Sequence, residues 1–262
     1  MTAPAANTIN ICLAHIPFPA RFARYVDLMI VPRHVDTPIE LVVVPEDCNG
    51  PHAHTLSEYN QLLWLFDHFA RIVGEREYVR LFTYRRFCAS KVLGVRAINN
   101  PWSHAILEDQ LAQFEADFSR VCDGEVFNTL AHFEQGMLRQ YADAHDLGDL
   151  LAFAKFMLDA HILDKSGVVQ FLARPGLVPA CSAGVFRREH LHSLLAVLRR
   201  AAQFMHTPAF VARTGAQRRN MGFLLERLNS HLLLAQVEQK RSPPNFGYNI
   251  VISDSPVISV SH

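Results

Sequence analysis

The chain has 262 residues, half of them hydrophobic, and its 25 lysine and arginine residues balance its 25 aspartate and glutamate residues. This length can bury a large core in one elaborated domain or in two, while the zero net charge argues against a basic nucleic-acid binder and against an acidic disordered chain. The five cysteines are odd in number and widely spaced, which favours reduced thiols over a disulfide framework.

The beginning of the chain predicts a cytoplasmic protein. The first eight residues, MTAPAANT, lack the basic start and apolar core of a signal peptide. No run of 18 apolar residues follows, so we expect no membrane span.

The first hundred residues alternate between strand and helix patterns. Strands are predicted at residues 8–14, 41–44 and 78–82. An amphipathic helix is predicted from Ser57 to a C-terminal cap at Gly74. This order indicates a mainly parallel sheet with helical cover. Because ligands of open α/β sheets bind beyond the carboxyl ends of strands, we expect the site at the segment that follows the third strand, Thr83–Arg86.

The pattern is mainly helical from His104 onward. Helices are predicted near residues 106–120, 126–144, 147–162, 187–205 and 215–239. The short apolar segment at residues 181–186 suits a strand. The alternating sequence from Tyr248 is either a last edge strand or a partly ordered tail.

Common phosphate-binding and hydrolytic motifs are absent from the sequence. It contains no GxGxxG, GxxxxGK[ST], GxSxG or HExxH, so simple Rossmann and P-loop interpretations lose support. His52 and His54 are spaced to share a metal, although an HxH pair in a loop is more often polar surface.

Two consecutive arginines at a strand end suggest an anion site. The guanidinium groups of Arg85 and Arg86 could clamp a phosphate or diphosphate at any pH, whereas the alternative is an ion pair with an acid such as Glu58 or Glu75. Tyr84 suits either contact with a ligand or packing on the core.

Polar residues at helical spacing form two further candidate groups. Tyr141, His145 and Asp149 share one face if the helix is continuous, and they could supply a general base with its orienting carboxylate, or a helix-packing seam. Arg219 and Glu226 are seven residues apart on one helix side, where an arginine–carboxylate pair is either structural or catalytic.

These blocks together resemble a bacterial domain of unknown function related to GT-A glycosyltransferases and found among exopolysaccharide and capsule biosynthesis proteins. The first two blocks match at Glu58, Trp64 and Tyr84–Arg85–Arg86–Phe87, and the third at Gln140, Tyr141, His145, Asp149 and Leu150. The fourth matches at Arg219, Gly222, Phe223, Leu224, Glu226, Arg227 and Leu228. The blocks occur in order over residues 57–230, but Thr83 stands where the family has histidine and Ser182 about where it has asparagine.

The resemblance implies a fold and a division of the chain. The fold is an α/β, GT-A-like and Rossmann-related mixed sheet with an extensively helical C-terminal half. We expect one domain over residues 1–262, with a nucleotide-binding half at about 1–100, a mainly helical acceptor half at about 101–240 and a tail at 241–262.

The resemblance also implies transfer of a sugar from a nucleotide-sugar donor to a glycan, lipid-linked or small-molecule acceptor in polysaccharide biosynthesis. It assigns catalysis to His145, Asp149 and Glu226, and donor binding to Tyr84, Arg85, Arg86, Glu58, Tyr141 and Arg219. No Asp-x-Asp motif stands after the third strand, so arginines would replace the usual metal on the diphosphate, with manganese or magnesium as the alternative. Two other functions fit the sequence: a non-catalytic nucleotide-sugar or glycan-binding module, and an α/β enzyme acting on a phosphorylated small molecule.

Overall fold

The computed structural model describes residues 7–14, 20–107, 110–118, 124–239 and 245–252. The strands in chain order are β1 (Thr8–Leu13), β2 (Leu28–Val31), β3 (Leu41–Val43), β4 (Tyr78–Thr83), β5 (Arg86–Ala89), β6 (Val95–Arg96), β7 (Ser103–Ile106), β8 (Val126–Phe127), β9 (Ala131–His132), β10 (Gly176–Leu177), β11 (Gly184–Arg187), β12 (Asn245–Phe246) and β13 (Tyr248–Ile252). The α-helices are α1 (Glu58–Asp67), α2 (Phe69–Val73), α3 (Leu111–Phe118), α4 (Gly136–Ala144), α5 (Leu147–Asp159), α6 (Lys165–Ala173), α7 (Arg188–Ala201) and α8 (Asn220–Gln239). Short 3-10 helices lie at Ala20–Tyr25, Ala53–Thr55, Ala202–His206 and Gly215–Gln217.

A seven-stranded mixed sheet in the order β12–β8–β11–β4–β1–β2–β3 organises the fold. The four strands β4, β1, β2 and β3 are parallel, whereas β11 runs antiparallel to both of its neighbours, β4 and β8. The predicted N-terminal parallel sheet is therefore confirmed. β2 was not predicted, because a four-residue apolar run is too short to distinguish a buried strand from other core segments.

A second sheet of four strands, in the order β5–β13–β7–β6, continues from the end of β4. β13 is the last strand of the described chain, as one of the two alternatives predicted, but it lies between β5 and β7, so its predicted position at an edge is wrong. An alternating pattern shows that one face of a strand is buried, but it does not show how many strands pair with it. Residues 253–262 lie outside the described residues.

The helices differ from the predicted ones in four places. The amphipathic helix predicted from Ser57 to Gly74 breaks at His68 into α1 and α2. The predicted helix at 126–144 is wrong in its first half, because β8 and β9 precede α4, and residue 106 belongs to β7 rather than to a helix. The sequence analysis also missed α6, although Asp164 caps it by accepting a hydrogen bond of 2.7 Å from the backbone N–H of Gly167.

Hydrophobic side chains bury both faces of the main sheet, as expected for parallel strands. Ile9, Ile11 and Leu13 of β1 pack with α1, α5, α7 and α8 in the larger core, while Cys12 packs on the other face between the two sheets. The rings of Phe82 and Phe87 stack there with centroids 5.3 Å apart. These two rings anchor both ends of the turn from β4 to β5.

Candidate functional site

A cleft of about 540 Å³ lies at the carboxyl ends of the four parallel strands. The end of each strand, or the loop after it, contributes one side of the cleft, through Leu13 for β1, Pro32 for β2, Glu46 for β3 and Thr83 for β4. The rest of the lining comes from Ala53, His54, Ser57, Glu58, Asn60, Gln61, Tyr84, Arg85, Arg86, Ala180, Ser182, Arg218 and Arg219. This is the position at which open α/β sheets bind ligands.

The charges of the cleft favour an anion. Its lining includes four arginines, Arg85, Arg86, Arg218 and Arg219, and two carboxylates, Glu46 and Glu58. The sequence analysis singled out three of these arginines and missed Arg218, although its adjacency to Arg219 is as visible in the sequence as the pair that follows β4.

Arg86 opens β5, and its position is fixed by its backbone. Its N–H donates a hydrogen bond of 3.2 Å to the hydroxyl of Thr83, and the stacked rings of Phe82 and Phe87 hold the flanking strands. Within the described part of the chain, no carboxylate forms an ion pair with Arg86. The alternative role predicted for Arg86, a structural ion pair with an acid such as Glu58 or Glu75, is therefore not observed among the described residues.

Glu58 and Glu75, the two acids predicted as possible partners of Arg85, pair with other arginines. The Arg85 guanidinium lies over the ring of Tyr84, 5.4 Å from its centroid. Glu75 instead pairs with Arg188 at 3.2 Å, and Glu58 pairs with Arg219 at 3.1 Å.

The carboxylate of Glu58, at the start of α1, is fixed by two hydrogen bonds. Its Oε2 accepts hydrogen bonds from the Ser57 hydroxyl at 2.6 Å and from Arg219 Nη2 at 3.1 Å. Burial acts to raise the pKa of Glu58, but Arg219, the Ser57 hydroxyl and Arg86 together outweigh it, so the pKa lies below its ordinary value. The carboxylate is therefore ionised at neutral pH.

Two residues of the cleft have left-handed backbone conformations that non-glycine residues rarely adopt. Ser57 has φ of 55° and Ala180 has φ of 49°, and His161 is the other such non-glycine residue in the described chain. Conformations of this kind require about 1–3 kcal/mol each from the surrounding structure and are concentrated at functional sites. The concentration of two of the three in one cleft supports a functional role for it.

Gln61 holds the floor of the cleft. Its side-chain amide nitrogen donates to the carbonyl oxygens of Ala14 at 2.8 Å and Ile30 at 2.5 Å, which joins α1 to the ends of β1 and β2. Both amide hydrogens are thereby used, and the orientation of the amide is fixed. Gln61 was not predicted as a site residue, because it lies within an amphipathic pattern that shows no sign of its two long-range partners.

Tyr141, His145 and Asp149 are placed behind the cleft and are not among the residues that line it. The helix is not continuous through them: α4 ends at Ala144, His145 is extended, and Asp146 caps the start of α5. Tyr141 and His145 still contact each other, with ring centroids 4.7 Å apart. Tyr141 is fully buried, and burial raises the pKa of its hydroxyl.

Asp149 anchors the segment that leads to α8. It accepts hydrogen bonds from Arg213 at 2.8 Å and from the Asn220 side chain at 3.1 Å. Since Asn220 directly follows Arg219, the hydrogen bond from Asn220 to the Asp149 carboxylate helps to fix the backbone position of Arg219.

Glu226 supports the opposite wall. It pairs with Arg227 at 2.7 Å, and its other oxygen accepts a bond of 3.4 Å from the backbone N–H of Ala180, which lines the cleft. It does not pair with Arg219. Phe223 completes this layer by stacking on His145, with centroids 4.1 Å apart, and by lying 5.6 Å from the guanidinium of Arg219.

The described residues of the cleft do not form an acidic metal site. Glu46 follows β3 and Glu58 begins α1, and one oxygen of Glu58 is already held by Ser57 and Arg219. His52 and His54 lie with ring centroids 6.3 Å apart, and no group of three His, Cys, Asp or Glu residues suited to a metal occurs in the described chain. The metal-binding Asp-x-Asp pair of ordinary GT-A enzymes has no equivalent at the end of β4.

The chain has an α/β fold of the GT-A-like type, with a mixed sheet and an extensively helical C-terminal half. Among solved structures, the chain is similar to the apo structure of WbbM, a bifunctional glycosyltransferase, with a TM-score of 0.69 and 12% sequence identity. The match covers 94% of this chain and 46% of WbbM, so the chain spans less than half the length of that protein. No protein-family model and no curated protein matches the sequence.

Among the helices of the described residues, none is both long enough and apolar enough to cross a membrane.

Proposed function

We propose that the protein is a glycosyltransferase of the bacterial polysaccharide-related kind, which transfers a sugar from a nucleotide-sugar donor to a glycan, lipid-linked or small-molecule acceptor. The observation that carries the proposal is Arg86, a cleft arginine at the end of the parallel sheet with no ion pair in the described chain. A fixed cation in this position suits the diphosphate that leaves when the sugar is transferred.

The diphosphate is assigned to the arginine end of the cleft. Arg86 contacts it directly, Arg219 and Arg218 add positive charge, and Arg85 supports the turn against Tyr84. Because no group of three His, Cys, Asp or Glu residues suited to a metal occurs in the described chain, we assign neutralisation of the leaving group to the arginines, without a divalent metal.

The nucleoside is assigned to the other end, over β1 and β2. Leu13 and Pro32 supply apolar contacts there, and Gln61 fixes the floor. Neighbouring strands are about 4.8 Å apart, so the end of β2 lies roughly 10 Å from the end of β4 across the intervening β1. The base and the diphosphate therefore lie over different strands.

Glu58 is assigned to sugar hydroxyl groups rather than to the diphosphate. An ionised carboxylate repels phosphate, but it accepts hydrogen bonds from hydroxyls, and Ser57 and Arg219 hold one of its oxygens in place. His145, Asp149, Glu226 and Tyr141, which the resemblance placed in catalysis or donor binding, are assigned to positioning, because they support Arg219 and Ala180 from behind the cleft.

The test is a calorimetric titration of uridine and guanosine diphosphates into wild type, Arg86→Ala and Arg86→Lys. Loss of a charge-assisted pair is worth about 1.5–3 kcal/mol, so Arg86→Ala should bind roughly ten- to a hundredfold more weakly. Lysine should restore part of the affinity, since it keeps the charge and loses the bidentate fork. Arg139→Ala is the matched control, because it removes the same charge from an exposed side chain on α4 outside the cleft.

Two outcomes contradict the proposal as stated. If Arg86→Ala and Arg139→Ala both bind as tightly as wild type, the arginine is structural. If wild type binds a nucleotide only when manganese is added, the metal-free mechanism is wrong.

A non-catalytic nucleotide-sugar-binding module is the second candidate. It is favoured by the absence of His145, Asp149 and Glu226 from the described lining of the cleft. Turnover of a nucleotide-sugar panel with candidate acceptors, read as released nucleoside diphosphate, separates the two. Binding of a nucleotide sugar without turnover of any acceptor class would favour the module.

A further inference from the structure

Exposed hydrophobic residues concentrate in one short stretch at the edge of the second sheet. The described chain has nine large hydrophobic residues that are exposed, and four of them lie within eleven residues of sequence: Val92, Val95, Ile98 and Trp102. Their exposed fractions range from 42% to 74%. Single exposed hydrophobic residues are ordinary, whereas a local concentration of them indicates an interaction surface.

The backbone presents these residues on an ordered hairpin. β6 pairs antiparallel with β7 and forms the outer edge of its sheet, with Val95 opposite Ala105. Between the strands, the N–H of Ala97 donates to the carbonyl of Ser103 at 3.0 Å, and the N–H of Ser103 donates to that of Asn100 at 3.1 Å. The loop that carries Ile98 and Trp102 is therefore held by its own hydrogen bonds. We call residues 91–102 the edge hairpin.

The charges of the edge hairpin have one sign. Lys91 and Arg96 are exposed, and the sequence contains no aspartate or glutamate from residue 90 to residue 107. This stretch therefore presents only positive charges beside its exposed apolar side chains. Anionic lipid head groups attract clustered lysine and arginine, while tryptophan and aliphatic side chains enter the interface between head groups and acyl chains.

We infer that the edge hairpin is a docking surface for an anionic lipid bilayer, with Ile98 and Trp102 inserted and Lys91 and Arg96 on the head groups. The inference rests on the exposed residues and their charge and does not depend on the proposed activity. The hairpin and the cleft belong to one continuous piece of structure, because β6 lies three strands from β5, which begins with Arg86. At about 4.8 Å per strand, the separation is roughly 14 Å, so docking brings the cleft close to the membrane surface.

The experiment uses vesicles of phosphatidylcholine alone and vesicles of phosphatidylcholine mixed with phosphatidylglycerol. Wild type should co-sediment with the mixed vesicles and not with the neutral ones, and added salt should release it. In a Trp64→Phe background, the emission of Trp102 should shift to the blue on binding and should be quenched by brominated acyl chains.

Ile98→Glu tests the insertion, and Val169→Glu is its control, since Val169 is an exposed aliphatic residue on α6, 64% accessible against 74% for Ile98. Ile98→Glu should weaken binding to mixed vesicles by about tenfold or more, whereas Val169→Glu should bind like wild type. Three results would overturn the inference: no binding of wild type to mixed vesicles, equal weakening by both variants, or a dimer in sedimentation velocity that Ile98→Glu dissociates, which would assign the hairpin to a second copy of the chain.

Discussion

Replacing Arg219 by methionine should destabilise the protein by about 1–3 kcal/mol at neutral pH, because it leaves Glu58 ionised and without its principal partner. Removing one member of a fully buried pair costs about 3–5 kcal/mol, and an exposed pair contributes about 0–1 kcal/mol. The side chains of Arg219 and Glu58 are 29% and 23% exposed, which places this pair between the two limits. Methionine keeps an unbranched apolar stem at this position but loses the guanidinium that lies 5.6 Å from the centroid of the Phe223 ring.

The destabilisation should depend on pH. In wild type the pKa of Glu58 is lowered, so the stability that the carboxylate contributes is present above its unfolded pKa and is lost as the pH falls through its folded pKa. Without Arg219, the Ser57 hydroxyl and Arg86 oppose the effect of burial less completely, so the pKa of Glu58 rises relative to wild type and the carboxyl group takes up a proton at a higher pH. The stability difference between wild type and Arg219→Met should therefore be largest near pH 7 and smaller near pH 4.

The assay is urea unfolding of wild type, Arg219→Met, Glu58→Gln and the double variant at several pH values. Glu58→Gln keeps the shape of the side chain and removes its charge, so the double variant should be more stable than the sum of the two single effects predicts, by about 1 kcal/mol or more. Additive effects within about 0.5 kcal/mol, or a destabilisation that does not change with pH, would refute the reasoning.

Two further predictions concern the helical half. Burial, with Arg174 donating to the ring, lowers the pKa of His231 to about 4, so the unfolded chain binds more protons between pH 6.5 and 4. Urea unfolding should show that the free energy of unfolding falls by about 3 kcal/mol as the pH is lowered from 6.5 to 4. If His231→Gln leaves this pH dependence unchanged, the assignment to His231 is contradicted. A Cβ on Gly222 would lie 2.8 Å from the carbonyl oxygen of Leu56, so Gly222→Ala should destabilise the protein by about 1–3 kcal/mol, with exposed Ser193→Ala near wild type as its control. If Gly222→Ala is instead more stable, helix propensity outweighs that contact.

The N-terminal sheet could be predicted because its strands are short apolar runs that end in turn residues. β1 and β4 pair with each other over six residues, and both were visible as strands before any pairing was known. β8 could not be found in the same way, since it has two residues and exists only through pairing with β11 and β12. Non-local pairing of this kind overrides the helical periodicity of residues 126–144.

The anion end of the cleft was predictable in part for a related reason. Arg85 and Arg86 directly follow a strand that the sequence shows, so their place at a strand end could be inferred. The partner of Glu58 could not, because Arg219 is 161 residues away and the sequence offers several arginines with the same chemistry. Spacing also failed for Tyr141, His145 and Asp149, because α4 ends at Ala144 and Asp146 caps the start of α5, so the three residues do not lie on one continuous helix.

The positions of the two best-defined arginines of the cleft depend on two different parts of the core. Arg86 is set by the stacking of Phe82 on Phe87, at the junction between the two sheets. Arg219 is set from the helical half, where Asp149 holds Asn220, the next residue in the chain. If one anion binds both arginines, its affinity therefore depends on the packing of both halves of the chain. If the two parts of the cleft move relative to each other, the ligand should oppose that movement, because it gains its full interaction only when both cations are in place.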